Sequence, residues 1–107
     1  MATVTSGVRA VSTPGHTPGH QGFIVDLDDS FGGGGFVFAF DAADHAENID
    51  HELAVGTVIN VEPEGTVEQI RRLMPIAAAR GYRLIPGHDQ HVWPTLSTEL
   101  EDRFGER

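Results

Sequence analysis

The chain has no cysteine among its 107 residues. That excludes disulfides and thiolate metal sites, and says little about the redox compartment. Positive charge is also scarce, with 7 Lys and Arg against 16 Asp and Glu and a formal net charge of −9. An acidic surface repels phosphate backbones and anionic lipid, so nucleic acid and membrane surfaces are poor partners. No run approaches the ~20 apolar residues that a membrane span requires. The start, from Met1 to Ser6, has neither a basic stretch nor a long apolar run, so no secretory signal is expected. A soluble, cytoplasmic protein is the default expectation. Among the 6 histidines no pair has the spacing H-x-H. The length allows one domain at most. A hydrophobic fraction of 39% is low for a globular domain but above a disordered composition.

What the chain does have is Pro-Gly-His corners in two places, with the tripeptide repeated at the first. The first lies in Thr13-Pro14-Gly15-His16-Thr17-Pro18-Gly19-His20 and the second in Ile85-Pro86-Gly87-His88-Asp89, with Phe36-Val37-Phe38-Ala39-Phe40-Asp41 between them. A histidine on a rigid turn at a strand end is one way to hold a metal ligand still. Either corner alone reads equally well as a loop cap; two corners plus a strand-end Asp favour a ligand set. Asp41 itself suits either a ligand or the N-cap of a short helix.

Strands are expected at Val8 to Ser12 and at Gln21 to Leu27, the latter with Phe23, Val25 and Leu27 on one face and Ile24 on the other. Asp28 to Gly35 reads as a hairpin turn. Its four consecutive glycines match a phosphate loop only superficially, since no GK[ST] follows. Phe36 to Phe40 has no polar position, as in a strand buried on both faces. Residues 42–65 read as irregular and acidic, with breaks at Gly56, Pro63 and Gly65. A helix follows, with Thr66 as N-cap, Gln69 completing a capping box, and Val67, Ile70, Leu73, Met74 and Ala77 facing inward. Pro75 predicts a kink or an early end, and Gly81 a C-terminal stop. Tyr82 to Ile85 is a strand. Pro94 suits the first turn of a helix to about Phe104, with Leu96 and Leu100 on one face. The order predicts an α/β (layered α+β) fold: a mixed sheet with helices on one face. The other face carries part of the Phe23/Val25/Leu27 or Phe36/Phe38/Phe40 sets, and an uncovered patch of that kind normally means a partner surface or aggregation.

The order TPGHTPGH, then an apolar strand ending in Asp, then helix, strand and PGHD resembles the C-terminal half of metallo-β-lactamase-fold metallo-hydrolases. Within them it is most like the N-acyl-homoserine-lactonase-like branch. Asp41-Ala42-Ala43-Asp44-His45-Ala46-Glu47-Asn48, Ile70-Arg71-Arg72-Leu73, and Pro86-Gly87-His88-Asp89 with Val92-Trp93 behind are similar to that branch. The resemblance runs from about Gly7 to Leu96. It implies one αβ half of an αββα sandwich, so that residues 1–107 form a single partial domain without the N-terminal half and its HxHxDH motif.

The resemblance also implies zinc as cofactor, one or two ions in the complete site, with manganese, iron or cobalt as alternatives. His16 would ligate the first metal, Asp41 would bridge, and His88 would ligate the second. A metal-bound hydroxide would then attack a lactone or ester carbonyl, with no side-chain nucleophile. His20, Asp89 and Asp44 are expected beside the ligands, orienting them, with direct metal contact a lesser reading for His20 and Asp89. His45 and His51 lie in the acidic loop and are expected in solvent, with His45 near enough to Asp41 to reach a pocket, and His91 is expected on the surface.

Three ligands shared by two ions leave each with about two, where a catalytic zinc takes three plus water. An isolated monomer is therefore expected to bind metal weakly and to be inactive. A separate N-terminal half, or a homo-oligomer bringing in His20, His45, His51 or His91, would complete the site. Two departures bear on substrate: Asp44 stands where the branch often carries tyrosine, and Phe40-Asp41 replaces a common Gly-Asp. The alternative function is a non-catalytic half-fold that homo-oligomerises through its exposed sheet face, or a truncated fragment.

Overall fold

The structure is a computed structural model that describes residues 2–28, 33–54 and 63–104. In chain order the elements are β1 (Ala2–Thr5), β2 (Val8–Ser12), β3 (Gln21–Asp26), β4 (Gly35–Phe40), α1 (Ala46–Asp50), α2 (Pro63–Arg80), β5 (Arg83–Pro86) and α3 (Val92–Phe104). They build one mixed sheet in the order β1-β2-β3-β4-β5. The pairs are antiparallel from β1 to β4, and β5 is parallel to β4 after the α2 crossover.

Register sorts the side chains into two layers. Ala10, Phe23, Phe38 and Ile85 are aligned across four strands, and so are Arg9, Ile24, Val37 and Leu84. Neighbouring positions on a strand point to opposite faces. Ile24, Val37 and Ala39 pack beneath Ile70, Leu73 and Ala77 of α2, with Ile49 of α1 at the margin. Phe36 and Ile85 pack with Leu96 instead, flanked by Phe38, Val92, Trp93 and Leu100.

Helices α1 and α2 share one face, while α3 covers part of the other, although all helices were expected on a single face. The Phe36/Phe38 side of β4 is apolar too and draws in α3. Its Val92, Leu96 and Leu100 recur at helical spacing and match the alternate positions of β4 and β5. Beyond α3 that second face continues as an aromatic row. Phe38 stacks on both Trp93 and Phe40 at 6.0 and 5.8 Å, and Phe23 meets Phe40 edge-on at 5.8 Å. The row ends in the open, where Phe40 is 36% exposed.

Several expectations change in detail. Strand β1 and helix α1 are additional elements. Helix α2 starts at Pro63, so Thr66 is buried inside its first turns and does not cap it. Pro75 neither ends nor shortens the helix, which runs on to Arg80. Both Met74 and Pro75 lie on its exposed side, where a carbonyl left without its helix donor costs less than in the core. Met74 was expected inward, yet it is 41% exposed. At about 100° per residue the buried stripe centres on Thr66, Ile70, Leu73 and Ala77, and Met74 falls on its outer flank.

Gly81 stops the helix at φ +68°, and the Tyr82 N–H returns to the Ala77 carbonyl at 2.9 Å. The β3–β4 turn includes residues 29–32, outside those described, as is the expected break at Gly56. Among the described residues no helix is long and apolar enough to cross a membrane.

Candidate metal centre

The parallel strands β4 and β5 end side by side, which puts Asp41 next to the Pro86-Gly87-His88 corner. Phe40 turns the chain there with φ +49°, a left-handed conformation that a residue with a Cβ adopts at some cost. Gly87 makes the approach possible: a Cβ on it would lie 2.6 Å from the Phe40 carbonyl oxygen. Two backbone bonds pin the corner, from the Gly87 N–H to Ala43 O at 2.8 Å and from the His88 N–H to Asp44 O at 2.7 Å. The first corner is fitted against α2. Gly15 has φ +143°, and a Cβ there would lie 2.8 Å from the Thr66 nitrogen.

These placements bring the three sequence-predicted ligands together. His16 Nε2 lies 3.2 Å from Asp41 Oδ2, and His88 Nε2 lies 2.6 Å from Asp41 Oδ1. The two imidazoles therefore address the two oxygens of one carboxylate. Donor atoms of Asp41, Asp44 and His88 also lie within 4.8 Å of one another.

His20 sits behind this group. Its Nε2 accepts the Asp41 N–H at 3.2 Å, so that nitrogen carries no proton and the hydrogen is assigned to Nδ1. Nδ1 then donates to Thr13, with Oγ1 at 2.7 Å and the carbonyl at 3.2 Å. Burial holds His20 below its ordinary pKa of 6.5, against the opposing pull of the Thr13 backbone and Asp41. With both ring nitrogens engaged, His20 orients the Asp41 backbone.

Asp89 ties three segments together. It accepts backbone N–H groups from Ala46 at 2.8 Å, His91 at 2.8 Å and Val92 at 2.9 Å. The Ala46 bond, then those from Val92 and His91, bring its pKa down to about 2. Asp89 thereby caps α3 and joins α1 to the corner carrying His88. His45, His51 and His91 are exposed and lie outside the Asp41 group.

Sequence reasoning missed Asn48. This buried residue accepts the His45 N–H at 2.9 Å and donates to Leu53 and Ala54 carbonyls at 3.0 and 3.2 Å. In the sequence it stood out only as the last residue of the Asp41 to Asn48 stretch that resembles the lactonase-like branch.

Imidazole nitrogens and carboxylate oxygens without thiolate form a donor set that fits zinc, manganese, iron or cobalt. This donor set lies at the strand ends, apart from an apolar hollow nearby. A cleft of about 460 Å³ runs along the free edge of β5 between α1 and α3, walled by Ile49, Ile85 and Val92 among others. It includes none of Asp41, Asp44 or His88.

No family model matches the chain. Individual relatives do. It is 32% identical over 89 residues to the N-acyl homoserine lactonase AttM of Azorhizobium caulinodans, covering 83% of this chain and 32% of that protein. It is 30% identical over 86 residues to an N-acyl homoserine lactonase of Bacillus thuringiensis, covering 80% and 32%. Among solved structures, it superposes with a TM-score of 0.73 and 28% identity on an N-acyl homoserine lactone hydrolase with N-hexanoyl-L-homoserine bound at its catalytic metal centre. That match covers 87% of this chain and 35% of the other. A probable metal-dependent hydrolase from Staphylococcus aureus, at 18% identity and a TM-score of 0.65, shares the fold. The chain spans about a third of the length of the relatives it matches. Its sequence homologues are N-acyl homoserine lactonases, and its fold is that of a C-terminal part of the metallo-β-lactamase-fold hydrolases.

Proposed function

We propose that this chain carries part of a divalent-metal site for hydrolysis of a lactone or ester. The observation that carries the reading is the convergence of His16 and His88 on the two oxygens of Asp41. The relatives' activity and the bound homoserine product of one of them favour a lactone over other acyl compounds. In this reading His16, Asp41 and His88 are the metal ligands, and zinc is the first candidate, ahead of manganese, iron or cobalt.

When bound, such an ion supplies Lewis acidity, lowering the pKa of water to about 7 and polarising a carbonyl. The chain's own residues hold and shape the site. His20 fixes the Asp41 backbone through its Nε2, and Thr13 fixes His20 in turn. Asp89 keeps the His88 corner and α1 in register. Residues 1–107 act as a partial domain, and a second segment or a second copy completes the ligand shell for turnover.

The test is hydrolysis of an N-acyl homoserine lactone and an aryl ester by the full chain loaded with zinc or manganese. It is run alone and with the complementary N-terminal segment of the Azorhizobium caulinodans relative. Turnover lost on His88→Ala supports the reading. A folded, metal-loaded complex that hydrolyses neither substrate overturns it.

Non-catalytic self-association is the second reading, favoured by the aromatic row of Phe23, Phe38 and Phe40 on the sheet face beyond α3. It predicts an oligomer by light scattering that survives chelation, and a monomer would rule it out.

A further inference from the structure

We propose that Asp44 is a direct ligand to the same ion as Asp41 and His88, so that this chain alone presents three protein donors to one cation. The inference rests on the metal-site reading above and deepens it. One donor atom from each of the three residues lies within 4.8 Å of the other two.

The turn after β4 explains why Asp44 arrives there. Ala42 and Ala43 are fully buried, and their N–H groups return to the carbonyls of Ala39 and Phe40 at 3.1 and 3.2 Å. The chain curls tightly after Asp41 and delivers residue 44 to the end of β5. There its carbonyl accepts the His88 N–H at 2.7 Å. A single bond thus sets the spacing between Asp44 and His88, and only Ala42 and Ala43 separate Asp44 from Asp41.

The Asp44 carboxylate is half-buried, and among the described residues it has no hydrogen-bond or ion-pair partner. The nearby imidazoles of His16 and His88 already address the two oxygens of Asp41. Two carboxylates this close, one of them partnerless, favour a cation between them. Three protein ligands also match the count of a catalytic metal site that keeps an open position. The second carboxylate adds negative charge and a hard oxygen, so manganese gains relative to a site richer in imidazole.

Cobalt(II) titration of the full chain tests this by visible absorption, with Asp44→Cys as the decisive variant. The chain contains no cysteine of its own. A thiolate-to-cobalt charge-transfer band on adding cobalt to Asp44→Cys therefore requires residue 44 to reach the ion. We expect that band, and at least tenfold weaker cobalt binding by the near-isosteric Asp44→Asn, a loss of the size metal-site changes cause. Asp44→Cys that binds cobalt without the band, together with Asp44→Asn that binds like the parent, overturns Asp44 as a ligand. If His88→Ala still abolishes binding in that case, the broader metal-site reading stands. A parent chain that binds no cobalt overturns the three-donor site, and the broader reading is then judged by cobalt binding to the chain together with the complementary N-terminal segment.

Discussion

Tyr82 and Asp26 show how one pair of side chains anchors the end of the sheet opposite the candidate metal centre. The Tyr82 hydroxyl donates to Asp26 Oδ1 at 2.5 Å, and Arg9 reaches Oδ2 at 3.4 Å. Gly35 leaves room for the ring, since a Cβ there would lie 2.6 Å from Tyr82 Cε2. The bond to Asp26 first, then burial and the Asp26 charge, hold the phenol above its ordinary pKa of 10.0. A proton lost from Tyr82 would set a phenolate against a carboxylate. Because the folded value is the raised one, this stabilisation is complete below 10.0 and fades as pH rises through the folded value. As Tyr82 is the only tyrosine, phenolate absorbance reports it directly. We expect the native protein to ionise above the ordinary value and the denatured protein at it, and Tyr82→Phe to flatten the alkaline loss of stability. A native titration at the ordinary value would remove the bond from the account.

The segment from Asp41 to Ala54 is the element on which the site most depends, and it has little regular structure of its own. Helix α1 has five residues, far short of the ~12–15 at which an isolated helix becomes even marginal. Asn48 supplies what the helix cannot, holding the His45 N–H and the Leu53 and Ala54 carbonyls from a buried position. Asn48→Ala strands these groups, and losses of this kind cost about 1–3 kcal/mol. The expected result is a lower Tm and faster amide exchange at His45; a melt unchanged from the parent would place the hold elsewhere. This segment also marks how far the sequence could be read. Strands β2 to β5 and helix α2 follow from period and punctuation, and the Pro-Gly-His corners mark His16, His20 and His88 alike because Pro and Gly set a turn locally; the choice of His16 over His20 came from the family resemblance. Asp41 follows from the apolar strand that carries it. Asn48 and the nearness of Asp44 to His88 depend on the path of a turn closed by bonds to another strand, which no local pattern encodes. The capping role expected of Thr66 failed for a related reason. Gly15 packs directly on the Thr66 nitrogen, so tertiary contact governs that end of α2.

At the scale of the molecule the question is whether a sheet covered differently on its two faces unfolds as one body. Leu73 is fully buried on the inner side of α2, and Leu96, 1% exposed, holds the corresponding place on α3. The two clusters are separated by the thickness of the sheet but share its strands: Val37 and Ala39 point into one, Phe36 and Phe38 into the other. Consecutive residues of β4 therefore couple the layers through the backbone, so losing either helix loosens the strand that the other helix needs. Leu→Ala in a core costs about 2–5 kcal/mol, against a total stability of about 5–15 kcal/mol for a domain. Either substitution should consume a large share of the whole. The single tryptophan gives a local probe on α3, where Trp93 Nε1 donates to Pro86 O at 2.7 Å and the ring stacks on Phe38. We expect Trp93 fluorescence and far-UV circular dichroism to report one coincident transition in the parent, in Leu73→Ala and in Leu96→Ala, with both variants shifted to lower Tm. In Leu96→Ala, a fluorescence transition that precedes the loss of helix and strand signal would mean that α3 detaches by itself. Because α3 begins at the Asp89 knot beside His88, such detachment would free the His88 corner before the sheet unfolds, and under the metal-site reading proposed above cobalt binding would weaken at temperatures where the rest of the molecule is still folded.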